Sequence, residues 1–293
     1  MWNDEQKNIW FEEQEIKRSY REEVVTKIKN LEALFDISQY GALPYDENRY
    51  PLFLIKSKNF LPENKTILIT GGVHGYETSG VHGALAFLET QALNYTNDFN
   101  IIVAPCISPW GYETINRWNP MTVDPNRSFF NDGPAPECNL FMKAISELNL
   151  EIFAHFDLHE TTDTDNTVFR PALEKRDGIP QDIWDIPDGF YLVGDSENPT
   201  PEFQKAIIES VRKVTHIAPA DINGNIIGEK LEQEGVINYP LKKLHLCASF
   251  SDAKFCTTTE VYPDSPRVSA ENCVDAQVAA IIGGMGFLVN SIK

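Results

Sequence analysis

Short β-rich runs alternate with helical ones along most of this 293-residue chain, and that alternation restricts the fold more than any other feature. The apolar runs "PLFLIK", "TILIT", "NIIVAP", "EIFAHFDL", "GFYLVG" and "TTTEVY" are interspersed with helical segments near 78–91, 137–149, 201–216 and 270–289. Runs this apolar need cover on both sides, so the expected architecture is α/β: a twisted, mixed, largely parallel β-sheet with helices on both faces. Residues 4 to 36 place Ile9, Trp10, Ile16, Val24, Val25, Ile28 and Leu31 at helical spacing among many charges. They predict one or two amphipathic helices, hence a single domain over 1–293 with a helical N-terminal extension at about 1–40.

Composition supplies the material for such a core, with 42% hydrophobic and 23% charged residues. A net charge of −18 with no basic stretch excludes binding to phosphate backbones and anionic membranes. The first residues, "MWNDEQKNIWFEEQEIKRSYREE", lack the basic and apolar blocks of a secretory signal, so a cytoplasmic location is expected. Near the other end, the uncharged run Val278 to Ile292 is shorter than the roughly 18–20 residues that span a bilayer, which points to a buried helix. Five cysteines, Cys106, Cys138, Cys247, Cys256 and Cys273, are odd in number, widely spaced and without Cys-x-x-Cys, and are expected as free thiols.

Ligands in open α/β sheets gather at the carboxyl ends of strands. His74 follows "TILIT", His159 closes "EIFAHFDLH" and Glu260 lies within "TTTEVY", so these polar residues can converge. In "ITGGVHGYETSG", glycines lead from a strand into a helix, placing His74 in the loop and Glu77 at or just before the first helical turn. A zinc ion accepts imidazole nitrogen and carboxylate oxygen together. The competing reading is a helix-capping glutamate beside a bystander histidine. His159 decides how the pair is read: with His74 and Glu77 it completes His₂Glu, a set used by catalytic zinc. Asp157, two residues earlier on the same strand side, can orient it. His155 reads as an ordinary buried histidine, and His82, His216 and His245 lack partners in the sequence.

In order along the chain, "GGVHGYE", "VDPNRSFF", "DLHE" and "TTTEV" resemble the motifs of the zinc metallocarboxypeptidases: His-x-x-Glu, Asn-Arg, a strand-end His and a late Glu. The resemblance spans Gly71 to about Val261 and makes the domain a zinc carboxypeptidase-like catalytic domain. It implies one zinc ion per chain held by His74, Glu77 and His159, with Glu260 as the general base that takes a proton from the attacking water. It also implies that Asn126 and Arg127 bind the substrate's terminal carboxylate. Here the chain has Asp124-Pro125 where the commoner family form has Asp-Leu, so the local backbone is expected to differ. "SPWGYETINRWNP" is similar to the family loop that carries an oxyanion-stabilising arginine, which nominates Arg117. Tyr239 stands near the usual place of a substrate-capping tyrosine, with Tyr262 and Tyr191 as competitors.

The resemblance thus implies hydrolysis of an amide bond adjacent to a free carboxylate, on a peptide or an N-acyl amino acid. Because "DLHETT" is similar to the Asp-Leu-His and threonines of aspartoacylase and succinylglutamate desuccinylase, an N-acyl amino acid deacylase is the alternative. An amidase of cell-wall peptides and a non-catalytic binding module on the same fold are further readings. The oligomeric state is not written in these motifs.

Overall fold

Ile67, Ile69, Ile101 and Val103 enter one apolar core, whereas Leu68, Ile102 and Ala104 enter another on the opposite face. Both sets come from two neighbouring strands, and the division follows from the two-residue period of β structure. The computed structural model describes residues 1–292. Its strands are β1 (Phe35–Ala42), β2 (Pro51–Ser57), β3 (Lys65–Gly71), β4 (Phe99–Ala104), β5 (Ile152–Glu160), β6 (Tyr191–Asp195), β7 (Asn225–Ile226), β8 (Glu229–Lys230), β9 (Val236–Tyr239) and β10 (Phe255–Val261). The helices are α1 (Asp4–Glu12), α2 (Thr26–Asn30), α3 (Thr78–Thr90), α4 (Pro109–Thr114), α5 (Pro136–Glu147), α6 (Arg170–Asp177), α7 (Pro201–Val211) and α8 (Ala270–Ile292).

Eight strands form one sheet in the order β1-β2-β4-β3-β5-β10-β6-β9, and β7 and β8 form a separate hairpin. The central strands β4, β3, β5 and β10 run parallel. Antiparallel pairing of β1 with β2, β2 with β4 and β6 with β10 makes the sheet mixed, as the alternation of runs predicts. Helices α3, α7 and α8 cover the first core, and α5 covers the second through Cys138, Phe141, Ala144 and Ile145. All five cysteines are buried and free.

The last helix is longer than its uncharged run suggests. With 23 residues, α8 is long and apolar enough to cross a membrane, but half of its apolar window is buried in the protein core. Ala280, Ile281, Met285 and Leu288 form its buried side. At the other end of the chain, Tyr20, Val24, Ile28 and Leu31 are buried in the first core, and β1 closes one edge of the sheet. Residues 20–42 are therefore built into the body of the fold, whereas α1 has no buried residue.

Close approach of α3 to the sheet fixes where the loop between β3 and α3 can lie. A Cβ on Gly80 would lie 2.4 Å from the carbonyl oxygen of Leu158 in β5, so only glycine lets the helix sit this near. Between β5 and β6 the chain leaves the sheet, forms α6 and returns through residues 178–189. Residues of this excursion line a cavity over the carboxyl ends of β5 and β10.

Candidate metal centre

The loop after β3 is held from two sides. A Cβ on Gly75 would lie 2.1 Å from the backbone nitrogen of Tyr112, so the loop is pressed against α4. Arg18 clamps it from the N-terminal segment, donating to the carbonyls of Tyr112 (2.6 Å) and Gly75 (3.1 Å) and to Thr78 Oγ1 (2.6 Å). Glu77 occupies the N-cap position of α3 but makes no side-chain cap. Glu160 caps instead, accepting from the Ser79 amide at 2.6 Å. Glu77 is thereby released to face inward, which decides against the helix-capping reading.

His74, Glu77 and His159 are buried together, with one ligand atom from each lying within 4.8 Å of the others. His74 Nδ1 is 2.7 Å from Glu77 Oε1, and His159 Nδ1 is 2.7 Å from Glu77 Oε2. The far nitrogens face other carboxylates: His74 Nε2 lies 2.9 Å from Asp124 Oδ1 and His159 Nε2 lies 2.9 Å from Asp157 Oδ2. Both ring nitrogens of each histidine thus face a carboxylate; Asp124 and Asp157 hold Nε2 from outside, which leaves Nδ1 as the atom that would bind a metal beside Glu77. This is the arrangement by which outer carboxylates orient metal-binding histidines.

The donor set fits a zinc ion. Glu77 Oε2, though near His159 Nδ1, is not aligned for a hydrogen bond and is a buried oxygen without a donor. Two inward nitrogens and an unsatisfied carboxylate oxygen match the three protein ligands of a catalytic zinc site. Burial would raise the Glu77 pKa, but His159 and His74 pull it down to about 2. Asp124 also stands well below the ordinary carboxylate range: burial opposes this, and Arg117 and His74 outweigh it. Glu77 and Asp124 are thus ionised at neutral pH.

His155 is set apart from this centre. Its Nε2 lies 2.9 Å from Thr70 Oγ1, its Nδ1 lies 3.3 Å from Ser251 Oγ, and burial lowers its pKa to about 4. Among the other histidines, His216 pairs with Asp188 at 2.8 Å, away from the centre.

Register brings the last acid alongside. Parallel pairing of β10 with β5 sets Glu260 opposite His159, and β6 sets Tyr191 on its other side. Thr161 Oγ1 donates to Glu260 Oε2 at 2.8 Å and is 2.7 Å from the Tyr191 hydroxyl. Burial raises the Glu260 pKa to about 8 before any cation is bound. From α8, Gln277 Nε2 donates to the carbonyl of His159 at 2.8 Å while its Oε1 accepts from Thr259, bracing β5 against β10.

Around the centre lies a cavity of about 240 Å³ whose lining includes Arg117, Asn126, Arg127, Tyr239 and Glu260 as well as the three candidate ligands. Pro125 does not disrupt the Asn-Arg segment: it opens a single tight turn, Pro125–Arg127, whose N-cap is Asp124. Asn126 Oδ1 accepts from the Cys247 amide at 2.8 Å, which fixes its orientation. Arg127 is open to solvent through the cavity, while the protein packed around it lowers its pKa. Its Nη1 donates to the carbonyl of Asn126 at 2.7 Å, and among the described residues it has no carboxylate partner. Arg117 differs, being bound to Asp124 at 3.1 Å and Asp165 at 3.3 Å. Of the three tyrosines, Tyr239 lines the cavity, Tyr191 is buried in its floor, and Tyr262 bonds Asp163 on the outside. Asp124, Thr161, Asp165, Glu160 and Arg18 act on the site without having been singled out in the sequence. Asp124 had a signal there as the residue preceding the Pro-Asn-Arg turn, and Glu160 and Thr161 as part of "DLHETT".

Residues 46–157 match the family model Peptidase M14, zinc carboxypeptidase. The match contains His74, Glu77, Asn126 and Arg127 and stops short of His159 and Glu260. Structural likeness extends much further. A candidate metallopeptidase from Shewanella amazonensis aligns over 90% of this chain and 90% of its own, with a TM-score of 0.67 and 17% identity. A metallo-carboxypeptidase from Burkholderia cenocepacia aligns over 92% of this chain and 69% of its own (TM-score 0.63, 14% identity). Bovine thrombin-activatable fibrinolysis inhibitor aligns over 96% and 99% (TM-score 0.60, 12% identity). At these identities the likeness speaks for the fold. No curated protein matches the sequence. The match bears out the family resemblance over the first two of the four motifs, and the last two lie beyond it.

Proposed function

We propose that this chain is a zinc-dependent hydrolase that cleaves the amide bond next to a free carboxylate, acting as a metallocarboxypeptidase. One observation carries the reading: Arg127 presents a guanidinium without a carboxylate partner to the cavity that holds the His₂Glu cluster. A terminal carboxylate is a planar, bidentate partner for such a group.

His74, Glu77 and His159 would hold the zinc, which when bound lowers the pKa of water toward neutrality and polarises the scissile carbonyl. Arg127 and the fixed amide of Asn126 bind the terminal carboxylate and so place the last amide bond over the cluster. Glu260 takes the proton of the attacking water. Its Oε2 is engaged by Thr161, which leaves Oε1 to carry the proton and deliver it to the leaving amine. Arg117, held by Asp124 and Asp165, is a preoriented cation for the negative charge that develops on the carbonyl oxygen.

Mass-spectrometric product analysis of the zinc-loaded protein against pooled peptides and N-acyl amino acids tests this reading, with Glu260→Gln as control. Loss of single C-terminal residues supports the carboxypeptidase assignment. Release of amino acids from acylated substrates alone moves the protein to the deacylases. With zinc bound and neither substrate cleaved, the chain would be a binding module.

A further inference from the structure

Arg127 is not the only uncompensated cation in the cavity. Arg170, the first residue of α6, lines the same space, carried there by the excursion between β5 and β6. Its Nη1 donates to the carbonyl of Asp182 at 2.7 Å, but its Nε is a buried donor with no acceptor. Among the described residues it forms no ion pair.

The nearby acids are otherwise engaged. Asp165 accepts from Arg117, Tyr76 and the Thr162 amide, and Glu160 accepts from the Ser79 amide. Glu77 turns its free oxygen to the metal centre, and Glu260 keeps Oε1 for the reaction. Tyr239 feels the positive charge of both Arg127 and Arg170, so the two guanidiniums act on one phenol from within a single cavity. A cavity with two such cations suits a ligand with two anions.

We propose that Arg170 is a specificity-determining residue that binds a second carboxylate on the C-terminal residue being removed, so that the enzyme acts on chains ending in a dicarboxylic amino acid. The inference rests on the function proposed above, in which Arg127 holds the first carboxylate. A neutral amide of the same shape offers one acceptor oxygen and no charge, so it cannot form the charged bidentate pair. A site built around a polar group rejects ligands that lack its partner by factors of up to about 10⁴–10⁵. Arg170 is partly exposed, so a preference of about 100-fold is expected here.

The test uses the zinc-loaded full chain and blocked dipeptides that differ only in their last residue: aspartate, glutamate, diaminopimelate, glutamine, leucine or lysine. Glutamate should exceed glutamine about 100-fold in kcat/KM, mainly through KM. In Arg170→Leu that ratio should collapse to within about threefold, and Arg170→Lys should restore part of it. Arg127→Leu should lower every substrate alike. Calorimetric binding of free glutamate and glutamine to the zinc-free protein gives a readout independent of turnover and should show the same preference. The ranking of aspartate, glutamate and diaminopimelate identifies which spacing of the two carboxylates fits.

Best cleavage of leucine or lysine ends, or an Arg170→Leu variant that lowers glutamate and glutamine ends equally, would overturn the assignment while leaving the carboxypeptidase reading intact. If Arg170→Leu does not fold, equal wild-type rates on glutamate and glutamine would suffice to overturn it. Absence of cleavage of any peptide by the zinc-loaded wild type would remove the underlying reading, and the assignment of Arg170 with it.

Discussion

At the scale of single residues, the site is controlled as much by the second nitrogen of each histidine as by the first. Asp124 and Asp157 tie down Nε2 of His74 and His159, so Asp124→Ala should weaken zinc binding about 10–100-fold. Competition with a chromophoric chelator measures this, and an unchanged affinity would show that the contact does not orient the ligand. Glu260→Gln should reduce turnover by about 10²–10⁴-fold with zinc content unaltered, as read by elemental analysis of the purified variant.

Away from the site, Glu137 provides a residue-scale test of stability against pH. Burial raises its pKa from 4.5 to about 7. Below pH 4.5 the group is protonated in both folded and unfolded chains. Between 4.5 and 7 the unfolded chain releases its proton first, so this residue's contribution to stability falls as pH rises, then levels off. The full loss is about 3 kcal/mol. Glu137→Gln does not titrate, so its melting temperature should match wild type near pH 4.5 and exceed it at about pH 8; parallel melting curves across that range would refute the burial argument.

At the scale of elements, the approach of α3 to β5 is the contact on which His74, Glu77 and His159 all depend. Gly80→Ala forces a methyl group against the Leu158 carbonyl and should cost about 1–3 kcal/mol or more in denaturant unfolding, with zinc affinity reduced in parallel. Elements were legible in the sequence where the pattern was local. The runs at 51–57, 65–71, 99–104 and 152–160 are strands, and the segments near 78–91 and 270–289 are helices. β1 was not visible: in "FDISQYGA" only Phe35 is buried, and the strand exists because it pairs with β2 across a bulge near Gly41. β9, with four residues, is too short to show a period. The same limit applies to the site. The candidate ligands could be read because strand ends converge, but the hold of Asp124 on His74 and of Arg18 on the Gly75 carbonyl joins residues far apart in sequence. Such contacts leave no periodic trace. Nor does the capture of Arg117 by Asp124 and Asp165, which depends on how the excursion folds back.

For the molecule as a whole, zinc held by the buried cluster would stabilise the fold as well as supply chemistry. At a thousandfold excess over its Kd, a ligand specific to the folded state adds about 4 kcal/mol of stability. With a melting shift of about 2–4 °C per kcal/mol for a chain near this size, removal by chelation should lower the melting temperature by roughly 10 °C. Calorimetry before and after readdition measures it. Retention of the full melting temperature in the zinc-free protein would mean that the cluster does not hold the ion tightly.

The two ends of the excursion suggest how such a scaffold can change its diet. β5 and β6 lie on either side of β10, so the segment between them starts and finishes about two strand spacings apart, roughly 10 Å, flanking Glu260. Almost any length of chain can bridge that gap, because doubling a loop adds only about 0.6 kcal/mol of closure entropy. The ligands, the base and the sheet register all lie outside the segment. A different segment between residues 162 and 189 could therefore retarget the proposed enzyme without touching its ligands or base, provided that it keeps Asp165, which holds Arg117.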